Sequence, residues 1–132
     1  MKAKYLCSHC KQPINVDKDI VLVAKNEMGN EGLVFLHTEL GNYTSKFCSS
    51  LNITEGDLVS FSCPICHHNL TNKNHESLAQ FTLIDDDGKK FTINISKIYG
   101  EKCTYKVEEQ KVVESFGEHL SRYLDPEWFL ML

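Results

Sequence analysis

Two closely spaced pairs of cysteines are the residues of this sequence that could do chemistry. Cys7 and Cys10 are separated by two residues, and so are Cys63 and Cys66. Both pairs belong to one pattern, C-x2-C-x3 followed by an aliphatic residue, with an aromatic residue two places before the first cysteine. A C-x2-C turn holds both sulfurs on one side of a tight backbone loop. Two such turns that face each other therefore supply four ligands to a tetrahedral metal site.

The pattern predicts one structural zinc ion (Zn2+) bound by these four cysteines. Zinc takes cysteine sulfurs at about 2.3 Å, and a site closed by four of them folds a protein but leaves no position for water or substrate. Iron is the less favoured metal. Knuckles that resemble those of rubredoxin normally have glycine after the second cysteine, and this sequence has Lys11 and His67 there. Redox-active dithiols stay open as a third alternative, although no thioredoxin-like βαβ pattern accompanies the pairs.

The paired knuckles resemble the zinc-ribbon class, in which two C-x2-C turns lie on a small antiparallel sheet. The resemblance covers residues 5–70, and it implies a fold and a metal site rather than one function. Residues 58–61 are predicted to form the strand that leads into the second knuckle. The stretch between Cys10 and Cys63 is much longer than the roughly 15–20 residues of compact four-cysteine fingers. We therefore predict a four-cysteine zinc-ribbon lobe, residues 1–70, with its own sheet inserted between the knuckles.

The remaining sequence predicts antiparallel hairpins. Residues 20–25 and 33–37 are apolar runs joined by a turn that contains two glycines, which indicates a hairpin in the first lobe. Residues 78–84 and 91–95 indicate another, because an Asp-Gly turn lies between two alternating runs. The polar segment 71–77 is the predicted linker, so residues 71–132 form the second lobe.

The end of the chain predicts a helix. Ser115 and Glu118 have the spacing of a capping box, and Phe116, Leu120 and Leu124 fall on one helical face at i, i+4 and i+8. The predicted fold class is therefore α+β and β-rich: a zinc ribbon on antiparallel hairpins, followed by further antiparallel strands and a short C-terminal helix.

The last five residues, from Trp128 to Leu132, are all apolar. Such a segment packs back on the chain's own hairpin sheet or contacts another molecule. Because Trp, Phe and Met are enriched at the cores of interfaces, the second alternative predicts a protein partner or self-association through this C-terminal segment.

The composition limits the classes of function. A hydrophobic fraction of 42% and a charged fraction of 24% are ordinary for a globular protein, and no run approaches the roughly 20 apolar residues of a membrane span. The first six residues lack the apolar run of a secretory signal, so we expect a cytoplasmic protein without membrane contact. The net charge of −4 disfavours nonspecific binding of nucleic acid.

Two further cysteines, Cys48 and Cys103, lie outside the repeated pattern. Buried small side chains are the favoured interpretation. A reversible disulfide, a second metal point or a nucleophilic dyad with His37 stays open, and the last of these would make the protein a thiol enzyme.

The sequence as a whole favours a non-enzymatic structural-zinc protein that acts as a protein-interaction or regulatory accessory module. A nucleic-acid-binding ribbon is one alternative and would use the lysines around the first knuckle. A rubredoxin-like iron electron carrier is the other.

Overall fold

The computed structural model describes residues 3–47, 51–73, 75–108 and 111–117. These residues form eleven strands and no α-helix. The strands are β1 (Lys4–Leu6), β2 (Asn15–Val16), β3 (Asp19–Lys25), β4 (Glu31–His37), β5 (Ser45–Phe47), β6 (Ser60–Ser62), β7 (Thr71–Asn72), β8 (His75–Ile84), β9 (Lys90–Ser96), β10 (Thr104–Glu108) and β11 (Lys111–Phe116).

The strands form two antiparallel sheets. The first sheet has the order β2-β3-β4-β5, with β6 also paired to β3. The second has the order β1-β8-β9-β10-β11, with β7 also paired to β8. Both predicted hairpins are confirmed: β3 pairs with β4 along seven residues, and β8 pairs with β9 along seven.

The two sheets are built from two copies of one structural repeat. Val34 of β4 pairs with Phe47 of β5. Moving both positions forward along the sequence by the same number of residues gives Ile93 and Lys106, which also pair with each other. The hairpin β3-β4 maps onto β8-β9 by the same shift. Residues 4–47 and 60–106 therefore follow the same path.

The turns of the two hairpins repeat the same hydrogen bonds. Asn26 Oδ1 accepts the backbone N–H groups two and four residues later, at 3.0 and 2.9 Å. Asp85 Oδ1 does the same at 3.0 and 2.8 Å. Each turn contains a glycine with positive φ, 87° at Gly29 and 82° at Gly88. Short polar side chains that bond the following backbone, together with glycine at the left-handed position, explain why both segments turn.

The two repeats exchange their first strands. Tyr5 of β1 pairs with Leu83 of β8, and Phe61 of β6 pairs with Ala24 of β3. Each repeat thus completes the sheet of the other, in a reciprocal arrangement typical of two-fold symmetry.

The main hydrophobic core unites the inward faces of both sheets. Because side chains alternate along a strand, every second residue of β3 and β8 points inward. The two strands carry unequal side chains at equivalent inward positions, so a large residue in one repeat corresponds to a smaller one in the other at two of the three positions. The equivalent pairs are Ile20 with Ala79, Leu22 with Phe81, and Ala24 with Leu83, all at most 4% exposed.

The α+β prediction with a C-terminal helix is wrong, because the described residues are all-β. Ser115, the predicted helix cap, lies in β11 and pairs with Tyr105, while Phe116 pairs with Thr104. This segment forms backbone hydrogen bonds with the edge of β10, and these bonds stabilise a strand more than the local capping pattern stabilises a helix. The rest of the predicted helix and the apolar terminal segment lie outside the described residues. Within the described ranges, no helix is long and apolar enough to cross a membrane.

The predicted linker, residues 71–77, contributes residues of two strands to the second sheet. Thr71 and Asn72 form β7, and His75 begins β8. Strand β1, from the predicted first lobe, belongs to the same sheet. The division of the chain into domains at residue 70 stays a prediction.

Substitution of Gly117 tests how tightly the end of β11 packs. Its φ is 110°, and a Cβ there would overlap the carbonyl oxygen of Lys102 and lie 2.8 Å from the hydroxyl of Tyr43. Gly29 is the matched control, with φ of 87° and open space around its Cα. Gly29→Ala should lower the free energy of unfolding by about 1–2 kcal/mol through backbone strain, and Gly117→Ala by about 1–3 kcal/mol more through overlap. Urea unfolding of the two variants measures this, and equal losses would contradict the packing.

Candidate metal centre

Both knuckles are closed by the same backbone hydrogen bonds. The N–H of Cys7 donates to the carbonyl oxygen of Gln12 at 3.0 Å, and the N–H of Lys11 donates to that of Cys7 at 2.9 Å. The second knuckle repeats both bonds at Cys63. Lys11 and His67, which follow the second cysteines, have positive φ values of 65° and 64°. This is the left-handed conformation that glycine adopts most readily, so both knuckles keep it in spite of the side chain.

Within each knuckle, the first sulfur accepts backbone N–H groups. The sulfur of Cys7 accepts those of His9 and Cys10 at 3.3 and 3.4 Å, and that of Cys63 accepts the two equivalent groups at the same distances. N–H donors stabilise the thiolate form of cysteine, which is the form that binds metals. The turn thus prepares its first sulfur as a ligand.

The structure brings the four predicted cysteines together. Their sulfurs all lie within 4.8 Å of one another. The sulfur of Cys7 lies 3.7 Å from that of Cys66, and the sulfur of Cys10 lies 3.7 Å from that of Cys63. Four sulfurs at about 2.3 Å from a tetrahedral ion would lie about 3.8 Å apart. The cluster therefore fits a metal ion and is consistent with a zinc-ribbon-like site.

The exchanged strands explain why cysteines so distant in sequence meet. β1 leads into the first knuckle while it pairs with β8, and β6 leads into the second while it pairs with β3. Ser8, inside the first knuckle, also lies with its hydroxyl oxygen 3.3 Å from that of Thr82 on β8. Each knuckle is thus held against the sheet of the other repeat.

Burial separates the sulfurs into an inner and an outer pair. Cys7 and Cys63 are fully buried, whereas Cys10 and Cys66 are half-buried. Burial raises the pKa of Cys63 to about 12. Burial also acts to raise the pKa of Cys7, but the N–H groups of Cys10 and His9 help to lower it overall. Gathering four thiolates in this space requires a compensating cation.

A pair of stacked histidines borders the cluster. The rings of His9 and His68 lie parallel, with centroids 4.1 Å apart and an interplanar angle of 8°. His9 Nδ1 lies 3.8 Å from the sulfur of Cys66. The residues equivalent to these two histidines are Ile65 and Gln12, so the histidine pair occurs on one side of the cluster only.

Cys103 lies apart from the four-cysteine cluster. It is 1% exposed, and burial raises its pKa to about 11. Cys103 and His37 both border a cavity of about 240 Å³ lined by residues of both sheets. His37 Nδ1 accepts the N–H of Glu39 at 2.9 Å, and no hydrogen bond joins these two described residues, Cys103 and His37, to each other. Cys48 lies outside the described residues.

Sequence reasoning found the repeated cysteine pattern but missed the repeat that contains it. Its signal was the spacing of turn residues, since the interval from Gly29 to Gly41 recurs from Gly88 to Gly100. The two knuckles are related by a shorter shift than these glycines are, because more residues separate the paired Thr71 and Ala79 than separate the equivalent pair, Asn15 and Ile20. The additional residues lie where the register between β7 and β8 is irregular. A search for one constant shift along the whole chain therefore does not align the knuckles and the hairpins together.

Comparisons with protein-family models, with characterised proteins and with solved structures find no match to this chain. The metal-binding arrangement therefore has to be interpreted from its own geometry.

The buried thiol of Cys103 generates a prediction on reactivity. A pKa of about 11 instead of 9.0 reduces the thiolate fraction at pH 8 about a hundredfold, and burial slows access further. Alkylation of Cys103 in the folded protein should therefore be at least about a hundredfold slower than in the unfolded chain. Because the folded pKa is raised, neutral Cys103 contributes stability below pH 9, and that contribution is lost between pH 9 and 11. Peptide mapping after timed iodoacetamide treatment measures the rate, and equal rates would contradict burial.

Proposed function

We propose that this protein is a non-enzymatic zinc-binding module that acts by binding another protein. One structural zinc ion on Cys7, Cys10, Cys63 and Cys66 joins its two repeats. The observation that carries the proposal is the pair of reciprocal sulfur distances of 3.7 Å, which match the edge of a zinc–thiolate tetrahedron.

The choice of zinc rests on the ligands and the knuckle residues. A tetrahedral set of four sulfurs suits zinc or iron. Closed four-cysteine sites that hold small sheets together are typical of zinc. The knuckles also differ from those of rubredoxin-like iron proteins, since Lys11 and His67 take the left-handed positions where glycine is usual.

The ion would act as a clasp between the repeats. Apparent zinc binding to such sites contributes about 10–16 kcal/mol, which is as large as the whole stability of a typical domain. The ion would connect the two knuckles and, through β1 and β6, the sheets of both repeats. Its role is therefore to fix the positions of the two sheets relative to each other.

The thiols of the chain support a non-enzymatic role. Four sulfur ligands leave the ion no open position for water or substrate. The thiol of Cys103 is buried, and its raised pKa makes it a weak nucleophile at neutral pH. Paired cysteines that bind a metal are typical of the reducing cytosol, which is the location we propose.

The surface proposed for the partner is the outward face of the first sheet, which we call the open face. It consists of alternating apolar residues of β3 and β4 that pair across the strands, Val23 with Leu33 and Val21 with Phe35. Leu33 is 45% exposed and the other three are half-buried. Since the chain carries a net charge of −4, an apolar protein surface fits this face better than nucleic acid does.

Metal analysis tests the zinc site. The purified protein should be colourless and contain one zinc ion per chain. Cys10→Ser and Cys66→Ser, which are equivalent by the repeat, should lower zinc affinity to a similar extent, because each removes one of four ligands. Cys103→Ala is the control and should keep one zinc. A red, iron-containing protein, or unchanged zinc binding in Cys10→Ser, would overturn the site.

Matched surface variants test the open face. Leu33 and Val113 are equally exposed, at 45% and 46%, on strands of different sheets. Leu33→Asp should abolish recovery of the partner by cross-linking and mass spectrometry, because a charge would be buried in an apolar contact. Val113→Asp should leave recovery unchanged, and both variants should keep one zinc. If both variants recover the same proteins in the same amounts, the open face is not the interface, whatever the metal content.

A further inference from the structure

The cavity of about 240 Å³ between the two sheets, which we call the inter-sheet cavity, is large for a protein of this size. Side chains in protein cores leave few spaces larger than a water molecule. An apolar cavity of roughly 150 Å³ is already sufficient to bind benzene. The walls of the inter-sheet cavity are mostly apolar and include Ile20, Ala24, Val34, Val59, Phe61 and Phe81.

The two repeats explain where this space comes from. Ala24 of β3 and Val34 of β4 border the cavity. Their equivalents in the second repeat are the larger residues Leu83 and Ile93, and neither of these two described residues borders it. The cavity therefore lies beside the smaller member of each pair, where the side-chain volumes of the two repeats do not compensate.

Equivalent loops of the two repeats also border the cavity. These loops join β4 to β5 and β9 to β10, and they contribute residues 39–44 and 98–103. Gly41 and Gly100 occupy equivalent positions in the loops and have positive φ values of 91° and 86°. The cavity is partly open to the surface, so a ligand can enter without separation of the two sheets.

Several polar side chains that border the cavity are bonded to other parts of the chain. The hydroxyl of Tyr43 donates to a backbone carbonyl oxygen at 3.0 Å. Ser96 Oγ donates to Glu101 Oε1 at 2.8 Å, and Lys97 Nζ donates to Thr71 Oγ1 at 2.8 Å. A charged ligand would also lose its hydration against walls that are mostly apolar, which is costly. The chemistry of the cavity therefore favours an uncharged ligand.

We propose that the inter-sheet cavity binds one small, uncharged and mostly apolar molecule, of about the size of a bicyclic aromatic ring system. Such a molecule would contact both sheets and add dispersion contacts of the kind that side chains supply elsewhere in the core. The cavity lies on the inward side of the first sheet, opposite the open face, because Val34 and Leu33 alternate along β4. The inference depends on neither the metal nor the proposed partner, so it stands or falls separately from the proposed function.

Binding of 2-naphthol to the full-length protein tests the proposal, because this fluorescent bicyclic phenol is uncharged at neutral pH. Titration should show one site per chain. 2-Naphthoate, which carries a charge on the same ring system, should bind at least about tenfold more weakly. Intermolecular nuclear Overhauser effects should connect the naphthol ring with the methyl groups of Val34 and Val59. Binding without saturation, or equal affinity for both compounds, would overturn the proposal.

Matched alanine variants locate the site. Ala24→Leu should weaken 2-naphthol binding at least about tenfold, because the leucine that the second repeat has at this position would occupy the space of the ligand. Ala3→Leu is the control, since it makes the same substitution at an exposed residue, and it should leave the affinity unchanged. If Leu33→Asp weakens binding as much as Ala24→Leu does, the ligand binds the open face and the proposal is wrong.

Val34→Ile decides the question if Ala24→Leu does not fold. It adds a single methylene group and introduces the residue that the second repeat has at this position. It should lower the affinity for 2-naphthol about threefold, because the added group displaces part of the ligand contact. Unchanged affinity in a variant whose amide NMR spectrum remains native would overturn the proposal.

Discussion

The structure depends on the meeting of four sulfurs at the point where two exchanged strands cross. β1 and β6 have only three residues each, and strands so short add little stability through pairing alone. Each nevertheless carries its knuckle to the sheet of the other repeat, and the reciprocal sulfur distances of 3.7 Å show that both reach the same point. The position of every other strand follows, because each long hairpin is paired with one of these crossing strands.

The inward packing shows how a duplicated fold can keep a dense core. If both copies carried identical side chains, the two sheets would present the same side-chain volumes at equivalent inward positions. Ile20 and Ala24 in one copy are matched by Ala79 and Leu83 in the other, so the volumes compensate. Such complementary differences keep the total side-chain volume of the core, although they make the two repeats unequal. A constant core volume is what native packing density requires.

Features encoded locally could be predicted from the sequence, and features that depend on distant pairing could not. The C-x2-C turns and the Asp-Gly hairpin are fixed by a few consecutive residues. The exchange of β1 and β6 is invisible in three-residue strands with no periodicity of their own. The predicted helix failed for a related reason: Ser115 and Phe116 match a capping pattern, but the open edge of β10 decides their conformation. The structural repeat could not be predicted from the sequence, because the knuckles and the hairpins are related by different shifts along the chain.

The exchange of first strands also relates the fold to that of a two-fold symmetric dimer. Two separate chains of one repeat each, paired by a two-fold axis, would form the same two sheets and bring two C-x2-C turns to one ion. The protein thus has the architecture of a homodimer whose two halves are joined in one polypeptide. Fusion replaces a bimolecular encounter with an intramolecular one, so assembly no longer depends on concentration. In one polypeptide the two halves can also differ in sequence, and their equivalent outward positions do differ in exposure.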